Sequence, residues 1–110
     1  MTYVPDSGDL VWINFTPTSG HEQAGVRPAL VLSPKAYNDK AGLMLCCPIT
    51  NQQKGYPFEV EVKDGASGIT GVVLADQVKS LDWRQRQVTA KGKVSATILT
   101  DVLAKIHTLL

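Results

Sequence analysis

The chain has 110 residues, 44% of them hydrophobic, and a formal net charge of +1. This length predicts one domain over residues 1–110, and the sequence contains no apolar run of the ~18 residues that span a bilayer. The N-terminus has neither the basic nor the apolar segment of a signal peptide, so we expect a cytoplasmic protein without membrane contact. Two adjacent cysteines and two distant histidines are too few for a structural zinc site. We therefore expect no metal ion and no cofactor.

From residue 10 to residue 91, short apolar runs separated by Gly, Pro, Asn and Asp predict β-strands. The pattern indicates six strands: Leu10–Phe15, Arg27–Ser33, Leu43–Cys47, Phe58–Val62, Gly71–Ala75 and Gln87–Lys91. The strand over 58–62 alternates and should have one solvated face, whereas the strand over 71–75 is apolar throughout and should be central. Cys46 and Cys47 should point to opposite faces of their strand and fill the core.

The hydrophobic period changes after Ser95, which is a favourable N-cap residue. Apolar residues then recur at helical spacing, at Ile98, Leu99, Val102, Leu103, Ile106 and Leu110. This predicts an amphipathic helix packed on the strands, with His107 at the surface beside the apolar stripe. The expected fold is mainly β with a C-terminal helix, a small β-barrel.

A polar segment before the second strand contains three groups suited to proton transfer and phosphate binding: His21, Glu22 and Arg27. Phosphodiester cleavage without a metal needs a base, an acid and a cation for the phosphorane, and these side chains supply that set. A second charged feature lies at residues 79–93, where five cations accompany Asp82 alone. Two interpretations of that basic segment remain open, a phosphate-binding surface and an ordinary solvated surface.

Several sequence blocks resemble the MazF/PemK/Kid toxins. They are Gly8–Trp12, Gly20–Gly25, Arg27–Pro34, Pro48–Thr50, Lys54–Glu59 and Val73–Val78. The blocks occur in the expected order over essentially the whole chain. The resemblance is strongest to the MazF branch, through Lys54–Phe58 and Ala75–Ser80.

The resemblance implies an SH3-like barrel that forms a homodimer and acts as the toxin of a type II toxin–antitoxin system. It implies a sequence-specific, metal-independent endoribonuclease that cuts single-stranded RNA, mainly mRNA, leaves a 2′,3′-cyclic phosphate and a 5′-hydroxyl, and so inhibits translation. It also implies a cognate antitoxin whose acidic, partly disordered tail blocks the site.

The resemblance also assigns catalytic roles. The arginine of the Arg-Pro block is catalytic in the family, and the Arg27 guanidinium can hold two phosphate oxygens at once; the alternative is a structural arginine. Thr50 corresponds to a catalytic threonine in the Pro-x-Thr block, with turn capping as the alternative. Glu22 and His21 compete for the role of general base. A related branch uses the histidine together with an aspartate that corresponds to Asp76.

The loop Lys54–Phe58 has the composition of an RNA-recognition loop, because Lys54 can contact phosphate while Tyr56 and Phe58 can stack on bases. Phe58 also continues an alternating strand, so a core position is equally expected. The amides of Gln77 and Asn38 can interact with base edges, and an ordinary polar position in a turn or strand is equally expected for both. Asp76 and Lys79 complete the expected RNA-binding set.

Two other functions remain open at this point. Toxins of the same barrel fold bind DNA gyrase without nuclease activity, through a C-terminal helix that ends in large side chains, usually including Trp. This chain ends in His107–Leu110 instead. A plain SH3-like binding module would not need Glu22, Arg27 and Thr50 together in matching blocks.

Overall fold

The computed structural model describes residues 3–15, 25–63 and 67–110. Across these residues, seven strands and two helices follow one another. They are β1 (Asp9–Asn14), β2 (Val26–Val31), α1 (Lys35–Ala41), β3 (Leu43–Thr50), β4 (Glu59–Lys63), β5 (Thr70–Leu74), β6 (Lys79–Asp82), β7 (Thr89–Lys93) and α2 (Ala96–His107). The strands pair in the order β4-β5-β3-β2-β1-β7, and β6 lies beside β3. The prediction of a mainly β fold with a C-terminal helix is confirmed.

Strand β3 holds the sheet together because it pairs with three other strands. Its first half pairs with β6, its last two residues pair with β5, and β2 lies along the opposite edge. The prediction that this strand ends at Cys47 is wrong, since it continues through Pro48 to Thr50. Pro48 follows the last β6 pair and precedes the first β5 pair, and a missing N–H is tolerated where a strand changes partner.

The two faces of β3 contribute to two separate cores, as the alternation of adjacent side chains requires. Cys46 packs with Val11, Ile13 and Phe15 on one side, whereas Cys47 packs on the other. The second core also contains Leu10, Leu30, Ile49, Val60, Val62, Ile69, Val73, Ala75 and Val102. Burial raises the pKa of both thiols to about 12. The prediction that the two cysteines fill the core on opposite faces of the strand is confirmed, and both thiols are protonated.

The predictions for the strands over 58–62 and 71–75 and for the C-terminal helix are confirmed. Strand β4 alternates between buried and exposed residues, and β5 lies between β4 and β3. Helix α2 begins where expected, with the Ser95 hydroxyl accepting the N–H of Ile98 at 3.3 Å. Val102 anchors the helix in the core, and His107 is exposed. No helix in the described part of the chain has the length and apolar character needed to cross a membrane.

Two elements were absent from the sequence prediction, α1 and β6. Helix α1 has seven residues and no side-chain N-cap, and it ends at Gly42 with φ 71°. Strand β6 has four residues, of which Leu81 alone is buried. Neither segment is long enough to display a hydrophobic period.

Asn38 corrects the predicted RNA-binding set, because its side chain is fully buried. Its Nδ2 donates to the carbonyls of Pro5 at 2.8 Å and Ser33 at 3.0 Å, and its Oδ1 accepts the Ser33 hydroxyl at 2.6 Å. Its backbone carbonyl accepts the indole N–H of Trp83 at 2.9 Å. The side-chain amide forms its hydrogen bonds inside the protein. The prediction that Asn38 contacts base edges is therefore wrong.

Several cations of the basic segment at residues 79–93 form hydrogen bonds or ion pairs with other parts of the chain. The Arg84 guanidinium lies 4.9 Å from the centroid of the Trp83 ring and 3.7 Å from the carboxylate of Asp39. Arg86 donates to the carbonyl of Asn14 at 2.9 Å. Lys93 approaches the carboxylate of Asp9 at 2.9 Å. These contacts favour a structural and solvated role for the segment over a dedicated phosphate surface.

Candidate active site

Thr50, the last residue of β3, lies between two cavities of similar size. The first has a volume of about 270 Å³ and contains Arg27 and Thr50 in its wall. The second has a volume of about 310 Å³ and is lined by Thr50, Lys54, Tyr56, Asp76 and Gln77 among others. The fold therefore brings six of the predicted site residues to two adjoining depressions that share one threonine.

The first cavity is built where β1, β2 and β3 lie side by side. Arg27 is half-buried in β2, opposite Ile13 of β1. Trp12, Pro28 and the segment 67–70 complete the wall. Arg27 is thus presented from a paired strand, which restricts its backbone more than a loop does.

Thr50 is only 7% exposed, and its hydroxyl oxygen accepts the N–H of Gln52 at 3.2 Å. The turn-capping interpretation is therefore correct as a description of this contact. It is also compatible with a chemical role, because a hydroxyl that accepts one hydrogen bond keeps its own proton for donation to a ligand.

The second cavity joins two loops that are distant in sequence. Lys54 and Tyr56 come from the segment after β3, and Asp76 and Gln77 come from the turn after β5. They meet because β4 and β5 pair antiparallel with Glu59 opposite Leu74, so the loop before β4 lies beside the turn after β5. The Gln77 Oε1 atom is buried and accepts no hydrogen bond from the described residues. Together with the Asp76 carboxylate, it gives the cavity acceptors for a ligand that carries N–H or O–H groups.

Other predicted residues occupy different positions. Phe58 is half-buried against the core, with its ring centroid 6.4 Å from that of Tyr56. Of the two positions expected for Phe58, the structure shows the one in the core. Lys79 is half-buried in β6 opposite Cys46 and lines neither cavity. His21 and Glu22 lie outside the described residues.

Glu59 and Gln52 also line the second cavity, and the sequence prediction missed both. In the sequence, Glu59 belongs to the family block Lys54–Glu59 and to an alternating strand, and neither pattern gives its side chain a role at the site. Its position directly after a Gly- and Pro-containing turn was the available signal, because acidic side chains commonly accept backbone N–H groups at turns. Among the described residues, no three His, Cys, Asp or Glu side chains are grouped as a metal ion would need.

A family model described as PemK-like, MazF-like toxin of type II toxin–antitoxin system matches residues 6–110. The endoribonuclease toxin MazF of Escherichia coli (strain K12) is 56% identical over 108 residues, which cover 98% of this chain and 96% of that protein. The crystal structure of MazF (Form-I) from Deinococcus radiodurans has a TM-score of 0.94 at 55% identity and covers 98% of this chain and 97% of that chain. A MazE–MazF crystal structure (Form-II) from the same organism has a TM-score of 0.86 at 50% identity, with coverage of 98% and 96%.

The geometry around Thr50 depends on Gly71, whose φ is 135°. A Cβ atom at this position would lie 2.4 Å from the Thr50 carbonyl oxygen. We expect Gly71→Ala to lower the free energy of unfolding by about 1–3 kcal/mol, since overpacked sites cost that much, and to shift the amide resonances of Thr50 and Asn51. Urea denaturation and two-dimensional NMR measure the two effects.

Gly68→Ala is the matched control for Gly71→Ala. Gly68 also has a positive φ, 74°, but nothing lies within 4 Å of its added Cβ. The control should show the backbone strain alone, of about 1–2 kcal/mol, with the Thr50 resonance unmoved. Equal effects of the two variants on Thr50 would refute the dependence on Gly71.

Proposed function

This chain belongs to the family of PemK-like, MazF-like toxins of type II toxin–antitoxin systems, and we propose that it is a single-domain toxin that cleaves single-stranded RNA at the two cavities around Thr50. The endoribonuclease activity follows from family membership and from 56% identity to an endoribonuclease toxin over nearly the whole chain. The observation that carries the assignment of the site is that Arg27 and Thr50 line one cavity.

In this proposal the RNA supplies its own nucleophile, the 2′-hydroxyl next to the scissile phosphate. Arg27 holds two oxygens of the phosphorane through its planar guanidinium. Thr50, whose hydroxyl oxygen accepts the N–H of Gln52, donates its own hydroxyl proton in a hydrogen bond to a phosphate oxygen. As the 2′ oxygen bonds to phosphorus, the P–O5′ bond breaks and the departing 5′ oxygen takes up a proton from solvent water. The products are a 2′,3′-cyclic phosphate and a 5′-hydroxyl, and this route needs no metal ion.

The 2′-hydroxyl proton has two candidate acceptors, Glu22 and His21. A histidine of ordinary pKa, ~6.5, exchanges protons near neutral pH. A carboxylate needs its pKa raised by burial for the same task. In the sequence, His21 and Glu22 precede Arg27 by six and five residues.

The second cavity is proposed to bind the nucleotides that flank the scissile bond. Lys54 supplies a cation for phosphate, and Tyr56, which is 56% exposed, supplies an aromatic face for a base. The buried Gln77 Oε1 and the Asp76 carboxylate accept N–H donors from base edges. This division assigns chemistry to the first cavity and sequence recognition to the second.

We propose that the partner protein is a cognate antitoxin with an acidic, partly disordered tail. Toxins of this family form one half of two-component systems, and a related MazF is known in a MazE–MazF crystal structure. An acidic peptide with apolar anchors can use Lys54 and Tyr56 as RNA does, and such a tail folds as it binds. The antitoxin therefore stops fragment production in the cleavage assay described below.

A homodimer is proposed from the apolar surface on one side of α2. A groove of about 630 Å³ is lined mainly by apolar side chains, among them Tyr37, Leu45, Val78, Leu103 and Leu110. Between 39% and 91% of each of these five side chains is exposed. Contiguous apolar surface of this kind marks protein–protein contacts, and a second copy of the chain is the partner that the family resemblance implies.

Gyrase binding, the alternative function, is not favoured. The relative from Escherichia coli (strain K12) named above is an endoribonuclease toxin.

The activity should persist when divalent metal ions are removed. We expect purified protein to cut a long single-stranded RNA into discrete fragments in excess EDTA and to leave 2′,3′-cyclic phosphate ends, because the substrate carries the nucleophile. End-labelled fragment analysis measures this. The matched DNA is the control and should stay intact, since it lacks the 2′-hydroxyl. A strict requirement for Mg²⁺ or Mn²⁺ would contradict the proposed mechanism.

Arg27→Ala should reduce the cleavage rate by about 10²–10³-fold, the usual effect of losing one donor to a developing oxyanion. Arg27→Lys should restore little of it, because an ammonium group cannot form the bidentate contact. RNA binding and the urea unfolding midpoint should change far less than the rate. Lys40→Ala, an exposed site on α1, is the control. If Arg27→Ala unfolds the protein at the assay temperature, Arg27 is structural instead.

The dimer should depend on the groove beside α2. We expect sedimentation equilibrium to give a dimer at micromolar concentration and Leu103→Glu to give a monomer, because a buried carboxylate without a partner opposes association. Thr97→Glu changes the same helix at an exposed position outside the groove and should leave the dimer intact. A wild-type monomer with full activity would refute the proposal.

A further inference from the structure

The segment 52–58, called the 52–58 loop, connects β3 to β4 and forms one wall of the second cavity. It belongs to no strand, and its residues 52–57 are exposed, yet its backbone is extensively bonded. The N–H of Gln52 donates to the Thr50 hydroxyl at 3.2 Å, and the N–H of Gln53 donates to the Asn51 carbonyl at 3.1 Å. Exposed loops do not need such bonds, because water can satisfy them, so their presence indicates a fixed conformation.

Glu59 organises the centre of this loop. Its carboxylate accepts the backbone N–H groups of Lys54 at 3.1 Å, Gly55 at 3.1 Å and Tyr56 at 3.2 Å. Its own N–H donates to the Tyr56 carbonyl at 3.1 Å. Consecutive N–H groups of this kind form a concavity for an anion, and here the anion comes from the first residue of β4.

Lys105 holds the other end of the loop from helix α2. Its ammonium group donates to the Pro57 carbonyl at 2.7 Å. The helix itself is anchored by the buried Val102 and by Ile106, which packs against the core. The position of Pro57 is thereby tied to the core through a charged hydrogen bond, a stronger kind than a neutral one.

We propose that Glu59 and Lys105 are positioning residues for RNA recognition: they fix the 52–58 loop so that Lys54 and Tyr56 line the cavity shared with Thr50. This inference rests on the proposed RNA-binding role of that cavity. Substitution of Glu59 or of Lys105 should therefore weaken RNA binding and reduce base selectivity. The turnover rate at saturating RNA should change little, because Arg27 and Thr50 are untouched.

Glu59→Gln separates positioning from simple charge. It keeps the size of the side chain but removes a negative charge beside an RNA-binding cavity. If only the charge mattered, the variant would bind the RNA polyanion more tightly. If Glu59 positions the loop, the neutral amide accepts the three N–H groups less well, and binding weakens by roughly tenfold. Glu61→Gln is the matched control, because Glu61 is exposed on the same strand and lines a different cavity.

Lys105→Met removes the ammonium group and keeps the aliphatic stem. We expect it to raise KM several-fold, and Lys105→Arg to restore most of the loss, since a guanidinium can still donate to Pro57. Lys91→Met, at an exposed position on β7, removes the same charge away from the loop. It should leave KM near the wild-type value at equal salt concentration.

The experiment uses an RNA oligonucleotide that spans a mapped cleavage site, together with the same oligonucleotide carrying a 2′-deoxy substitution at the scissile position. Anisotropy with the uncleavable oligonucleotide gives affinity, and cleavage of the original and of its single-base variants gives kcat, KM and selectivity. Amide hydrogen exchange of Gly55 and Tyr56, measured without RNA, reports the loop directly. The expected result is faster exchange, weaker binding and lower selectivity in Glu59→Gln and Lys105→Met, with kcat largely kept.

Three results would overturn the proposal. Tighter RNA binding by Glu59→Gln would show that Glu59 affects RNA through its charge alone and does not position the loop. Unchanged selectivity despite faster amide exchange would show that the loop conformation does not control recognition, with the proposed nuclease function left standing. Absence of RNA binding by the wild-type protein, with protected amides, would remove the function on which the inference rests while preserving the loop contacts.

Discussion

The structure depends on how strand β3 divides its hydrogen-bonding edges among three partners. A strand has two edges, and β2 takes one of them, while β6 and β5 take successive stretches of the other. The change from β6 to β5 occurs around Pro48, a residue that cannot donate a backbone hydrogen bond. One strand thus links the part of the sheet that carries Arg27 to the part that carries the second cavity. Thr50 is the last residue of this strand, at the point where the two parts of the sheet meet.

The shared position of Thr50 explains how distant segments reach one site. Strand β5 pairs with Ile49 and Thr50 on one edge and with β4 on the other. The turn after β5 and the loop before β4 therefore emerge next to each other, beside Thr50. Gly71 allows the close approach, because its missing side chain leaves room for the Thr50 carbonyl. Strand pairing, and not proximity in sequence, sets the spacing between Asp76, Gln77 and Lys54.

Hydrophobic periodicity was sufficient to locate the long elements. The alternation at 58–62, the apolar run at 71–75 and the helical spacing after Ser95 each correspond to an element of the structure. The last strand was placed two residues too early, at 87–91 instead of Thr89–Lys93, because its exposed side chains give no period. Helix α1 and strand β6 were not predicted either, because seven and four residues are too few to display a hydrophobic period.

The site was predictable where a family block contains the residue and unpredictable where only tertiary contacts decide what a side chain does. Arg27, Thr50, Lys54 and Tyr56 stood in family blocks and lie at the two cavities. Asn38 was assigned wrongly, because an amide serves a buried network as well as a base edge, and only tertiary contacts distinguish the two. Glu59 was missed because its three hydrogen bonds are with backbone groups, which are present at every non-proline residue and leave no trace in composition.

The neighbouring thiols of Cys46 and Cys47 give the protein two internal reporters, one for each core. Because a thiol reacts as the thiolate, a buried thiol with a pKa of about 12 reacts only after its surroundings open. Labelling rates at the two positions therefore measure opening of the two sides of the sheet separately, from residues joined by one peptide bond. Equal rates mean that the protein opens as one cooperative unit, and unequal rates identify the side of the sheet that separates first.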